Sequence, residues 1–312
     1  MFSKVYNLLR NTPIMVQLES YNPETLEIIE SIEGTSPQDV HQIVAQQKKA
    51  QEAWAQLNVS DRIRLLRKVP EEIQKNIDRI AKVLVVEIGM PTSEARGSTL
   101  KLVDRINFFL ENSEPHLEPE TLDILGDYVN EVHHHPVGIV ACIMPWNHPF
   151  TIPFWSIIPA LIAGNAVIYK PSELAILVGR ELNDLMQAAD LPPNIFRTVY
   201  GDGNLGRVVM QSDIDMVSFS GTIKAGKKVY AGAAAAMKKV ILENGGKDAA
   251  LIDQDADLEQ VVDQLLIGSL RHSGQLCSSI KRVYTHSKIY RQLIERLEEG
   301  IKKIIEWYES HY

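Results

Sequence analysis

Cysteine is nearly missing from this 312-residue sequence, which holds only Cys142 and Cys277. Two thiols cannot build a disulfide framework, and a free, reactive thiol suits a reducing compartment, so a cytoplasmic protein is expected. Positive charge is also short: the formal net charge is −8, which argues against nucleic acid or an anionic membrane as partner. The N-terminal residues lack the continuous apolar core of a secretory signal, because Lys4 and Arg10 break their short clusters. Between Glu131 and Lys170 there is no Asp, Glu, Lys or Arg at all. That gap does not read as a membrane span, since Pro136, Pro145, Pro149, Pro153 and Pro159 interrupt it and Asn147 and Asn165 would need partners in lipid. A buried strand, a turn, a buried helix and a second buried strand fit it better, because parallel strands covered on both faces read as continuous apolar runs.

What is present is the composition of a globular chain, 45% hydrophobic and 23% charged, long enough for about two domains. Residues 17–33 read as a hairpin around the Asn22-Pro23 turn signal. Ser36 followed by Pro37 starts a helix through Trp54, and Ser60 starts a second with Ile63, Leu65, Leu66 and Val69. Pro70 punctuates it, and a third helix carries Ile73, Ile77, Ile80 and Leu84 at helical spacing. A further helix ends near residues 107–110, and residues 121–135 alternate around Gly126-Asp127 as a hairpin arm. His133 and His135 would share a face of a strand there, but no further ligand pattern lies nearby, so no metal is expected. Near the end, residues 287–308 form an amphipathic helix through Ile289, Leu293, Leu297, Ile301 and Ile304.

The chemistry-bearing residues fall at strand ends. Residues 137–144 read as a strand that delivers Pro145-Trp146-Asn147, where ligands of parallel α/β sheets bind; a capping Asn in a turn is the plain alternative. A second strand ends in Lys170-Pro171-Ser172-Glu173. Gly201-Asp202-Gly203-Asn204-Leu205-Gly206 matches a Gly-x-Gly-x-x-Gly pattern, a weak signal alone because its acidic partner some 20 residues on is not evident. Phe219-Ser220-Gly221-Thr222 then offers a hydroxyl at a helix start, a position suited to an anion. Glu243-Asn244-Gly245-Gly246-Lys247 and Gly274-Gln275-Leu276-Cys277 could place a base and a nucleophile in one site: a thiolate attacks well and a carboxylate can activate water. The bland readings are a strand-end carboxylate and an inert loop thiol. Cys142, inside an apolar strand, reads as a core residue.

Taken in this order and leaving the weak glycine pattern aside, the five motifs Pro-Trp-Asn, Lys-Pro-Ser-Glu, Phe-Ser-Gly-Thr, Glu-x-Gly-Gly-Lys and Gly-Gln-x-Cys resemble those of the aldehyde dehydrogenase superfamily over about residues 16–303. The resemblance implies an α/β fold, a doubly wound Rossmann-like cofactor domain plus an incomplete α/β catalytic domain. Its parts are an extension over 1–15, an NAD-binding domain over 16–120 and 136–244, an oligomerisation arm over 121–135, and the N-terminal part of a catalytic domain over 245–312. It implies oxidation of a small-molecule aldehyde to an acid. Cys277 would be the nucleophile, Glu243 the general base and Asn147 an oxyanion donor; Trp146, Lys170, Glu173, Gly203, Gly221 and Thr222 would bind the cofactor. NAD is preferred over NADP, because a carboxylate at Glu173 accepts from ribose hydroxyls and repels a 2′-phosphate. Two departures stand out: Asn244 where the family has Leu, and Thr222 where it usually has Ser.

The Glu-x-Phe-Gly-Pro motif and the last oligomerisation strand of the family do not occur in this sequence. The expectation is therefore a C-terminally truncated member that binds NAD weakly, self-associates and turns over slowly, without the family's homo-oligomer. The competing expectation to an active dehydrogenase is a remnant that binds nucleotide or associates with a full-length relative.

Overall fold

The structure is a computed structural model and describes residues 17–125 and 128–311. The expected extension over 1–15 and the Gly126-Asp127 turn lie outside the described residues. The chain divides into two compact units, one up to Glu243 and one from Asn244.

The first unit opens with a hairpin of β1 (Gln17–Tyr21) and β2 (Ile28–Glu33), followed by five helices. These are α1 (Pro37–Ala55), α2 (Val59–Leu66), α3 (Lys68–Lys75), α4 (Ile77–Ile88) and α5 (Thr92–Asn112). Ser36 and Asp39 cap α1 reciprocally, as the Ser-Pro start implies. Two expectations are corrected here. The second helix is capped by Asn58, whose side chain accepts the Asp61 N–H at 2.7 Å, and Ser60 merely donates to that Asn. The expected third helix is two helices, because Asn76 leaves the helical region between α3 and α4 and its amide donates to Glu72 O at 2.8 Å. Pro70 sits in the first turn of α3, where its missing N–H costs little.

An exposed antiparallel hairpin follows, β3 (Glu120–Leu125) with β4 (Tyr128–Val132). Then come β5 (Ile139–Ile143), α6 (Thr151–Ile162), β6 (Ala166–Lys170), α7 (Ile176–Ala188), β7 (Phe196–Thr198) and α8 (Gly203–Gln211). The unit closes with β8 (Met216–Gly221), α9 (Ile223–Ala235) and β9 (Lys239–Asn244). These strands form one sheet in the order β7-β6-β5-β8-β9. The β5–β6, β5–β8 and β6–β7 pairs are parallel. Lys239 N–H donates to Asp215 O, so β9 starts beside the start of β8 and runs the same way. Strands β5 and β6 are buried nearly end to end, the signature of a parallel sheet covered on both faces. Right-handed crossovers put α6 and α7 on one face and α8 and α9 on the other, a doubly wound arrangement. Asn165, just before β6, braces the approach to β5. Its side-chain Oδ1 accepts the Val137 and Gly138 N–H groups at 2.7 and 3.0 Å, and its side-chain Nδ2 donates to Ala160 O.

In the second unit, β10 (Asp248–Ile252) and β11 (Ile280–Thr285) pair in parallel across α10 (Leu258–Leu270). A final helix, α11 (Tyr290–His311), joins α10 over a small core of Leu258, Val262, Leu265 and Leu293. The other face of the strands is open, with Leu251 80% exposed. Neither strand is evident from the sequence. Among the described residues no helix is long and apolar enough to cross a membrane.

Candidate active site

The chain leaves β5 toward β6 on one side and leaves β8 toward β9 on the other, so the carboxyl ends of β5 and β8 flank a topological switch point. Trp146 and Asn147 follow β5, and Gly221 and Thr222 end β8 and start α9. Asn147 is half-buried between Pro145 and the buried Pro149, whose carbonyl accepts the Tyr169 hydroxyl. Trp146 is exposed. Thr222 is the N-cap of α9, and its Oγ1 accepts the Ala225 N–H at 3.2 Å. The hydroxyl expected to face an anion is thus committed as an acceptor and has its proton left to donate. The N–H groups of Ile223 and Lys224, in the exposed first turn, have no acceptor within the helix by its geometry.

Beside them, β6 ends at Lys170. Its side chain is buried, and Nζ donates to Pro171 O at 3.0 Å and lies 3.7 Å from a Glu173 carboxylate oxygen. Burial pushes the Lys170 ammonium toward a lower pKa, opposed by the negative charge of Glu173 and of Asp202. Glu173 is exposed. Gly203 opens α8 at the edge strand of the sheet, away from the switch point, and nothing lies within 4 Å of where a Cβ would sit. The weak glycine match is therefore open at the helix start, while a Cβ on Gly201 would lie 2.6 Å from Leu205 Cβ. Asp202, to which sequence reasoning gave no role, caps this helix by accepting from the Asn204 and Leu205 N–H groups. Its signal was legible, since Asp before a helix start is a favoured cap.

Eight of the nine expected site residues thus come to the carboxyl end of one sheet in the first unit. Glu243 is on β9 of the same sheet, exposed. Cys277 belongs to the second unit and is exposed, whereas Cys142 is fully buried in β5, with its thiol pushed far up by burial. The turn before Cys277 is unusual: His272, Ser273 and Gly274 all have positive φ, at 51°, 55° and 73°. Lys281 Nζ donates to Gly274 O at 2.7 Å and so pins that turn. Within the same unit, a Cβ on Gly246 would lie 3.0 Å from the Cys277 carbonyl, so the loop after β9 and the thiol turn approach closely where a glycine stands. His133 and His135 stack at 6.3 Å beyond the end of β4, and among the described residues no cluster of His, Cys, Asp and Glu could hold a metal.

The family model described as the aldehyde dehydrogenase family matches residues 12–306. The chain belongs to the aldehyde dehydrogenase family. Among solved structures, lactaldehyde dehydrogenase from Escherichia coli is 30% identical with a TM-score of 0.87, over 91% of this chain and 60% of that one. PnpE in complex with nicotinamide adenine dinucleotide is 28% identical, TM-score 0.87, over 90% and 58%. An E. coli NADP-dependent enzyme is 26% identical, TM-score 0.88, over 92% and 60%. This aldehyde dehydrogenase family chain spans about three fifths of the length of the solved structures it matches.

Proposed function

We propose that the chain oxidises an aldehyde to a carboxylic acid with NAD, through covalent chemistry on Cys277. The observation that carries this reading is the exposed thiol on a pinned turn whose backbone meets Gly246, three residues after Glu243. The buried second cysteine makes Cys277 the thiol that a substrate can reach. Lys170 and Glu173 would hold the adenosine ribose, with Trp146, Gly203 and Gly221 lining the site and the first turn of α9 with Thr222 meeting the pyrophosphate. These groups fit a dinucleotide: an exposed carboxylate, an open helix start and a second exposed helix start all lie along one sheet end. NAD, when bound there, supplies the acceptor for the hydride that leaves the substrate. The Glu173 carboxylate favours it over NADP.

The Cys277 thiolate adds to the aldehyde carbon and forms a thiohemiacetal. The Asn147 amide and the Cys277 N–H stabilise the oxyanion, a type of contact whose single loss typically costs ~10²–10³ in rate. Loss of hydride leaves a thioester on Cys277. Glu243 takes a proton from water, whose oxygen attacks the thioester carbon and releases the acid and the thiolate.

A second reading, nucleotide binding without turnover, is favoured by the slight core and open sheet face of the second unit. NADH formation from short aliphatic aldehydes separates the two. The dehydrogenase reading requires turnover that is faster with NAD than with NADP and is lost in Cys277→Ser; nucleotide binding with no NADH from any aldehyde would leave only the second.

A further inference from the structure

Glu87, near the carboxyl end of α4, is buried and takes no part in the reaction proposed above. Its carboxylate oxygens accept the backbone N–H groups of Leu177 at 2.9 Å and Val178 at 2.8 Å. Ser20 Oγ, itself buried in β1, donates to the same carboxylate at 2.6 Å. The two N–H groups can only donate, so both carboxyl oxygens of Glu87 serve as acceptors toward α7. Leu177 and Val178 are in the first turn of α7, whose own N-cap, Ala175, has no side-chain acceptor. A residue some ninety positions earlier therefore satisfies the orphan N–H groups of that helix and meets the positive end of its dipole. Burial pushes the Glu87 carboxyl up, while Ser20, the two N–H groups and Arg180 pull it down.

The first turn of α7 is coupled to the loop that carries Lys170 and Glu173. A Cβ on Gly179 would lie 2.5 Å from Pro171 Cγ, so the helix presses directly on that proline. The carbonyl of the same Pro171 accepts Lys170 Nζ. Between them, Ser172 Oγ accepts the Leu174 N–H at 3.2 Å, and the Ala175 N–H closes a turn on Ser172 O. Movement of the first turn of α7 thus passes through Pro171 to the Lys170 ammonium.

We propose that Glu87 is a positioning residue for the nucleotide: by capping α7 in place of Ala175 it holds Pro171, Lys170 and Glu173 in the geometry that receives the adenosine ribose. The inference rests on the assignment of Lys170 and Glu173 to the cofactor. Glu87→Gln keeps one acceptor and Glu87→Ala none, and Ser20→Ala is the milder change should either fail to fold. The matched control is Ile80→Val, a buried core change on the same helix α4. The test is calorimetric titration of each variant with NAD, beside amide hydrogen exchange of residues 171–178 without nucleotide. Glu87→Gln should raise the Kd for NAD by about fivefold to tenfold, the worth of one good cap, with Glu87→Ala further in the same direction. Exchange over 171–178 should quicken in the same order, while Ile80→Val lowers the melting temperature and leaves Kd and loop exchange unchanged. Wild-type binding with the Glu87 variants unchanged, or with the control weakened equally, overturns the positioning role alone. A wild type that does not bind NAD overturns the cofactor assignment and the proposal with it.

Discussion

At the scale of single residues, Asp202 illustrates how the site economises on side chains. It caps α8 through two backbone N–H groups, and its negative charge also favours the buried Lys170 ammonium. Burial works against its charge, but the Asn204 and Leu205 N–H groups, the Asn204 amide and Lys170 outweigh that and hold the carboxyl below its ordinary 3.8. A depressed carboxyl contributes stability that is present above 3.8 and lost as pH falls through the folded-state value. Asp202→Ala should therefore cost about 1 kcal/mol at neutral pH, in line with loss of a cap. Its difference from the wild type in denaturant melts should shrink as the solution is taken below 3.8. A difference of constant size across that range would mean that the charge is not what stabilises the helix start.

At the scale of elements, the glycines of the loop after β9 separate packing from flexibility. Nothing lies within 4 Å of a Cβ at Gly245, whereas one at Gly246 meets the Cys277 carbonyl at 3.0 Å. Gly246→Ala should displace the thiol turn by a few tenths of an ångström and reduce turnover by about tenfold, since small misplacements of reacting groups are costly. Gly245→Ala should stay within about twofold of wild type, and equal losses from both would show that the approach does not position the thiol. The same elements show what a linear sequence can tell. The buried strands β5 and β6 were legible because their apolar runs have no other soluble explanation, and the α1 start because its cap is local. The break at Asn76 was not, because the apolar spacing continues across it while the backbone does not. Strands β10 and β11 are short and largely exposed, so they lack the apolar run that marks a buried strand. Of the candidate site, the strand-end residues could be read in the chain as motifs. Glu87 could not, because its partners lie some ninety positions away and its role exists only once α4 and α7 are packed.

At the scale of the whole molecule, the residues proposed for the reaction are divided between the two compact units. Asn147, the nucleotide residues and Glu243 belong to the first, and Cys277 to the second. Family membership is carried by a match along nearly the whole chain, while the proposed chemistry calls for both a thiol and a base. Stopping the last step isolates that dependence. In Glu243→Gln, given a short aliphatic aldehyde and NAD, the thiol can still add and hydride can still leave, but the water lacks its base. Peptide mapping by mass spectrometry should then find the acyl group on the peptide containing Cys277, retained in Glu243→Gln and turned over in the wild type. No acyl group on Cys277, or equal release in variant and wild type, would contradict the account.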